Sequence, residues 1–384
     1  MDKPERIRGL IESWQQEQLR FLISLCEINS YTLNKKGTDW VASQIQDRLG
    51  EIFPYHEIEE QEKHGNHHIF RTSMTGNSVY LLGHMDTVFP PDHPFQSCHM
   101  KDGWLMGPGT ADMKGGLAVL IYALRALRQV DAFPDFEITL ILGADEETGS
   151  TTSRDIYLRE RTRALACLTA ESAGEMGEFV ISRNGKMGGL LECFGKDRHV
   201  GAPESAKSSA ILEMAHKIIA IEALNRVHPG VRLNAGRVEG GLGPATVPGY
   251  ASLLFDVRWE KEEQHDEVYA SLLSIAENNH DIHCRSKMSI LNHRPAMPAG
   301  EKTKMIADML INTGRKLDMN ILFQHRRGTS DANFFGSAGI PTLDGFGPIG
   351  LQDHTSEERI LISSLAERTQ LLALLLFTFE PDQI

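Results

Sequence analysis

Three segments of the chain are apolar almost without interruption: SVYLLG at 78–83, FEITLILG at 136–143 and LACLT at 165–169. Short runs with no polar alternation predict strands covered on both faces, as in a parallel sheet. LAVLIYALRALRQV follows Gly115 and Gly116 and sets Leu117, Leu120, Ile121, Leu124 and Leu127 at helical spacing. From about 188 the order changes to strand (GGLLECF), helix (SAKSSAILEMAHKIIAIEAL), strand (VRLNAGRV), strand (YASLLFDVRW), helix (EEQHDEVYASLLSIAEN) and strand (DIHCRSKMSIL). That β-α-β-β-α-β order is the pattern of a ferredoxin-like unit. The expected fold class is α/β: a mostly parallel, mixed-sheet domain made of residues 1–183 and 294–384, with a smaller α+β domain at 184–293 inserted into it.

A chain of 384 residues is too long for one ordinary core, which agrees with two domains. A formal charge of −13 opposes nucleic acid or an anionic membrane as the main partner. Cys26, Cys98, Cys167, Cys193 and Cys284 are odd in number, widely spaced and without a CxxC pair, so reduced thiols are expected rather than a disulfide framework. The first residues, MDKPERIRGLIESWQQEQ, carry no apolar core of a signal peptide, and no stretch is long enough to span a bilayer. A cytoplasmic location is the expectation.

The chemistry lies in the polar residues that follow the apolar runs. His84 and Asp86 follow the first, Asp145, Glu146 and Glu147 the second, and Glu171 the third; Asp112 precedes the 117–130 helix and His354 lies in GLQDHTSEE. Ligands of open α/β sheets bind outside the carboxyl ends of the strands, so these residues should converge on one crevice. Two imidazoles with several carboxylates suit divalent metal and the activation of water at neutral pH. Asp112 taken alone is equally a helix N-cap, and Asp86 a turn carboxylate. His84 and Asp86 stand at i and i+2, which on an extended segment lets the carboxylate meet a ligating imidazole's second nitrogen. Glu146 and Glu147 diverge as neighbours, which suits one to ligation and the other to proton transfer. Asp145 is expected to support the loop.

GHMDT, GTADMKGG, DEETGS, the ES of LTAES, GKDRHVGAPE, GTSDANFF and the late DHT occur in one order along nearly the whole chain. In this the chain resembles the zinc metallopeptidases and amidohydrolases that include glutamate carboxypeptidase, aminoacylase, acetylornithine deacetylase and succinyl-diaminopimelate desuccinylase. The resemblance implies two zinc ions, with cobalt or manganese as substitutes. Asp112 would bridge them, His84 and Glu171 would hold one, and Glu147 and His354 the other. It implies Glu146 as general base, and His199 as an oxyanion donor supplied by the lid of a partner subunit, making the inserted domain a lid and dimerisation domain. His199 is flanked by Gly195, Gly201 and Pro203.

The implied substrate is a small peptide or N-acyl amino acid, with Arg294 in RPAMPAG resembling the arginine that glutamate carboxypeptidases keep for a terminal carboxylate. Arg258 in FDVRW matches another family arginine and is a second substrate-binding candidate, although its planar fork serves the lid or a dimer contact equally well. Two positions depart from the family: Ala245 in ATVP replaces an asparagine, and Arg327 stands where many relatives have glycine. The loss of a donor at 245 weakens the expectation of glutamate. A carboxypeptidase releasing a C-terminal amino acid, glutamate among them, is the leading expectation. An N-acyl-amino-acid deacylase or desuccinylase is the alternative, followed by a metal-binding homologue without turnover. A dinucleotide-binding oxidoreductase is disfavoured because neither GMGEF nor GPGTADMKGG forms GxGxxG between strand and helix.

Overall fold

A computed structural model describes residues 2–74, 76–202 and 208–381. The chain crosses between two compact units after Ser182, Ala296, Arg326 and Thr329, so the second unit consists of 183–296 with 327–329. Pro203 of the GKDRHVGAPE motif lies outside the described residues.

The first unit is built on a six-stranded sheet in the spatial order Tyr55–Glu59, His67–Arg71, Glu137–Gly143, Ser78–His84, Ala164–Thr169, Thr342–Leu343. The last four strands are parallel, and the first two add antiparallel at one edge. The three apolar runs are the three central strands, and their alternate residues feed two different cores. Val79, Leu81, Leu140, Leu142, Ala166 and Leu168 enter the larger cluster. Tyr80, Leu82, Ile141 and Cys167 pack on the other face with Tyr157, Phe334 and Phe335. Burial of both faces explains why these strands show no polar alternation.

The helix Gly115–Gln129 lies over the larger core together with Lys3–Ser13, Gln15–Cys26, Lys35–Leu49 and Ile362–Thr378. Its N-terminal turn needs glycine, since a Cβ at Gly116 would stand 1.7 Å from the carbonyl oxygen of Ala170. The helix start therefore touches the strand end that leads into Glu171. A second, small antiparallel sheet of Gly350–Leu351, Arg359–Leu361, Trp104–Met106 and His99–Lys101 was not anticipated, because two- and three-residue strands leave no periodic signal.

The second unit is an antiparallel sheet in the order Arg232–Gly240, Tyr250–Trp259, Gly185–Phe194, Arg285–Arg294, with the helices Ala210–Val227 and Glu262–Glu277 packed on it. Numbered along the chain, its strands lie 4-1-3-2, the ferredoxin-like arrangement. Leu253, Phe255, Val257 and Trp259 turn inward while intervening residues are partly or fully exposed, the alternation of a half-solvated sheet. Among the described residues, no helix is long and apolar enough to cross a membrane.

Candidate metal centre

Register lines up the ends of the central strands. Leu82 pairs with both Ile141 and Thr169, and His84 with Gly143, so the polar segments 84–86, 145–147 and 171 all begin beyond one sheet edge. His84 is buried there. Its Nδ1 lies 3.1 Å from the main-chain oxygen of Asp86 and 3.2 Å from Asp86 Oδ1, while Nε2 is 2.9 Å from Asp112 Oδ1. Asp86 is itself fixed by Thr32 Oγ1 at 2.7 Å and by the N–H groups of Glu146 and Glu147 at 3.2 and 3.3 Å. One buried carboxylate thus ties His84 to the loop that carries both glutamates.

Asp112 is not an N-cap. It lies in the turn Thr110–Lys114, with Lys114 at the cap position of the following helix, and its carboxylate is directed to two histidines. Oδ1 faces His84, and Oδ2 is 3.1 Å from His354 Nε2. The turn is held from behind by Glu358, which accepts the N–H groups of Gly109, Ala111 and Asp112 at 3.2, 2.8 and 3.1 Å. Lys114 is buried and donates to the carbonyls of Leu25 and Ile28, anchoring the turn from the other end.

Glu147 Oε2 lies 3.1 Å from His354 Nε2, and Glu171 Oε1 lies 3.7 Å from His84 Nε2. His354 is half-exposed on the loop between two strands of the small sheet and adopts φ +61°, a left-handed conformation uncommon for residues other than glycine. Glu146 is nearly buried in the one-turn helix Glu146–Thr148. Asp145 turns away, accepting from Thr152 N and Ser153 Oγ at 2.6 Å each, and closes its own loop.

Electrostatics mark the cluster as short of positive charge. Burial alone would lower the pKa of His84, but hydrogen bonds to Asp112 and Asp86 and the charge of Glu171 hold it well above its usual value. His354 is raised to about 11 by its hydrogen bonds to Asp112 and Glu147. Burial, followed by the charge of Asp112, raises both Glu147 and Glu171 well above the carboxylate range. Asp112 resists its burial penalty through both histidines and stays below its usual value. Burial and Asp112 push Glu358 up to about 8.

Donor atoms of His84, Asp112 and Glu147 all lie within 4.8 Å of one another. Glu147 Oε1 is buried without a hydrogen-bond partner, an expensive arrangement for a carboxylate oxygen. Carboxylate oxygens, imidazole nitrogens and an orphaned buried acceptor fit a divalent cation such as Zn²⁺. Glu358 and Thr32 were not singled out from the sequence. Glu358 follows another glutamate in TSEE and carries no mark distinguishing it from a solvated surface acid, and Thr32 lies in an irregular segment.

His199, Arg258 and Arg294 belong to the second unit. His199 is exposed, its ring nitrogen Nδ1 accepts the N–H of Gly201 at 3.1 Å, and its backbone pairs with Thr246. Ala245 adjoins it: its carbonyl accepts the N–H of Val200 at 2.9 Å. Arg258 and Arg294 are the cross-strand neighbours of Lys186 on its two sides. Arg258 donates to Asp256 at 2.7 Å, whereas the buried Arg294 reaches Thr329 Oγ1 at 3.4 Å.

A family model described as peptidase family M20/M25/M40 matches residues 80–378. The chain is 27% identical over 306 residues to carboxypeptidase G2 of Pseudomonas sp. (strain RS-16), covering 78% of this chain and 74% of that protein. It is also 27% identical over 330 residues to a succinyl-diaminopimelate desuccinylase of Bradyrhizobium sp. (strain BTAi1 / ATCC BAA-1182), covering 78% and 83%. Its fold is similar to the crystal structure of an M20 family metallo-carboxypeptidase from Sulfolobus solfataricus. There the TM-score is 0.74 at 14% identity, over 94% of this chain and 98% of that one.

Proposed function

The chain belongs to peptidase family M20/M25/M40, metal-dependent amide hydrolases, and from that premise we propose that it hydrolyses the amide bond next to a free carboxylate, using two zinc ions. The observation that carries the two-ion reading is the split use of Asp112, one oxygen toward His84 and the other toward His354. His84 and Glu171 would hold one ion, Glu147 and His354 the other, and Asp112 both. Ions held there supply Lewis acidity to a water molecule and to the scissile carbonyl.

The chain's own groups do the rest. Asp86 accepts from His84 Nδ1, which presents Nε2 as the ligating nitrogen and fixes the ring. Glu146 takes a proton from the attacking water, whose oxygen bonds to the carbonyl carbon. As the C–N bond breaks, Glu146 returns that proton to the amine nitrogen. His199, carried on the ferredoxin-like unit, donates to the developing oxyanion of a second subunit's site, so the working species is a homodimer. Arg294, a buried guanidinium, takes the substrate carboxylate, while Lys186 and Arg258 beside it on the sheet face Asp256.

A carboxypeptidase that releases a C-terminal amino acid is the reading favoured, and carboxypeptidase G2 is among the chain's relatives. The desuccinylase relatives favour a second reading, an N-acyl-amino-acid deacylase. Ala245 beside the His199 strand removes an amide donor and weakens the case for glutamate. A panel of peptidyl-, aroyl-, acetyl- and succinyl-amino acids offered to the zinc-loaded protein tests both readings. Release of a C-terminal residue from peptidyl or aroyl substrates supports the first, and preferential cleavage of short acyl groups supports the second. Hydrolysis of none of them contradicts the function itself.

A further inference from the structure

A second constellation of metal-ligating side chains lies wholly within the ferredoxin-like unit, among residues with no part in the proposed reaction. Glu262 begins the helix Glu262–Glu277, His265 stands one turn further along it, and His293 is near the end of the strand Arg285–Arg294. One donor atom from each lies within 4.8 Å of those of the other two. Bonds near 2.1 Å in a tetrahedral site imply ligand atoms about 3.4 Å apart, so small side-chain rotations close the group around an ion.

The surroundings are arranged as those of ligands are. Glu262 Oε2 accepts from Trp259 Nε1 at 3.2 Å and from Ala296 N at 2.9 Å, which fixes the carboxylate. His265 Nδ1 lies 3.0 Å from Asp266 Oδ1, a contact that keeps the proton on Nδ1 and leaves Nε2 as the lone-pair nitrogen. A carboxylate behind a ligating imidazole is the usual outer support of a metal site. The indole of Trp259 forms a wall, with ring centroids 4.8 Å from His265 and 5.6 Å from His293, and the two imidazoles meet edge to face at 4.9 Å.

We propose that Glu262, His265 and His293 form a further metal site, separate from the His84–Asp112 cluster, that takes one borderline divalent ion of the zinc class. Two imidazoles and a carboxylate match Zn²⁺ better than Ca²⁺ or Mg²⁺, which prefer all-oxygen shells. Three protein ligands leave one position for water or a small anion. The bound ion fastens the start of the helix to the end of the strand, three residues before the chain leaves this unit after Ala296. This assignment does not depend on how many ions the other cluster holds.

The test is equilibrium dialysis of the metal-stripped full-length protein against Zn²⁺ alone, with bound metal counted per chain. His265→Phe keeps an aromatic ring against Trp259, and Glu262→Gln keeps an oxygen acceptor for both N–H groups, so each variant removes a ligand with little loss of packing. Each should bind one ion fewer than wild type, with an unchanged circular dichroism spectrum. A protein carrying Asp112→Asn and Glu147→Gln, which weaken the first cluster, should also lose one ion when His265→Phe is added. Co²⁺ should quench tryptophan fluorescence more in wild type than in His265→Phe, because Trp259 adjoins the site. Equal zinc counts and equal quenching in wild type, His265→Phe and Glu262→Gln would overturn the proposal, whatever the count at the first cluster.

Discussion

The carboxylate of Glu358 accepts the main-chain N–H of Asp112 at 3.1 Å, so the residue that faces both histidines is held from behind by an acid 246 positions away in the chain. The same carboxylate accepts from Gly109 and Ala111. Glu358→Ala leaves three N–H groups without that acceptor in a buried turn, at a cost on the order of 3 kcal/mol or more. The expected outcome is a lower urea midpoint together with weaker zinc binding. Glu358→Gln, which keeps one carbonyl acceptor, should lie between alanine and wild type, and a wild-type midpoint for Glu358→Ala would contradict this role.

If Asp112 is shared between two ions, its loss should affect both. Asp112→Asn keeps the shape of the side chain and one carbonyl oxygen but removes the charge. Zinc titration followed by metal analysis should show two ions in wild type, and in the variant a marked loss of affinity for at least one. A saturating count of one in wild type, with Asp112→Asn unchanged, rules out the shared carboxylate.

His68 offers a pH dependence away from the metal cluster. Burial, reinforced by neighbouring His56, pushes it down to about 4. Above about 6.5, the ordinary histidine value, the imidazole is neutral in folded and unfolded chains alike, so its full stability contribution is present. As pH falls from 6.5 toward 4 the unfolded chain takes up the proton first, and stability is lost. The loss by pH 4.5 is roughly 2–3 kcal/mol, from about 1.4 kcal/mol per pH unit. Urea unfolding of wild type and His68→Gln between pH 7 and pH 4.5 measures it: the wild type should lose more stability by that amount, and parallel curves would show that His68 is not the cause.

The assignment of His199 to a second subunit makes a complementation result. His199→Ala and Glu146→Gln homodimers should each be nearly inactive, yet exchange of subunits should create mixed dimers with one intact site. Random exchange makes half the dimers mixed, so recovery should approach roughly a quarter of wild-type activity for independent sites in a two-fold dimer. Absence of recovery after demonstrated exchange would place His199 in its own chain's site or outside the chemistry.

Much of the fold was legible because burial on two faces leaves a simple signature. The runs at 78–83, 136–143 and 165–169 became adjacent parallel strands, and the β-α-β-β-α-β order became the 4-1-3-2 sheet. The convergence of His84, Asp112, Glu147, Glu171 and His354 was legible for the same reason, since strand ends in one sheet share an edge. What escaped was short or long-range. The small sheet that carries the His354 loop is made of two- and three-residue strands. Glu358 works through backbone N–H groups far away in sequence, which no local pattern records. Asp112 illustrates a real ambiguity, because an acid just before a helix reads equally as a cap, and only the positions of His84 and His354 decide. Glu262, His265 and His293 join a helix start to a strand end, with the last two 28 positions apart, and no motif draws them together.

The central claim is that Glu146 moves the proton in a metal-dependent amide hydrolysis while Glu147 ligates, and the most direct measurement is turnover by Glu146→Gln on a cleaved substrate at saturating zinc. The expected result is a fall in kcat by a factor on the order of 10² to 10⁴ with the wild-type metal content retained. Near-normal kcat in that variant, with metal and substrate both saturating, would contradict the account.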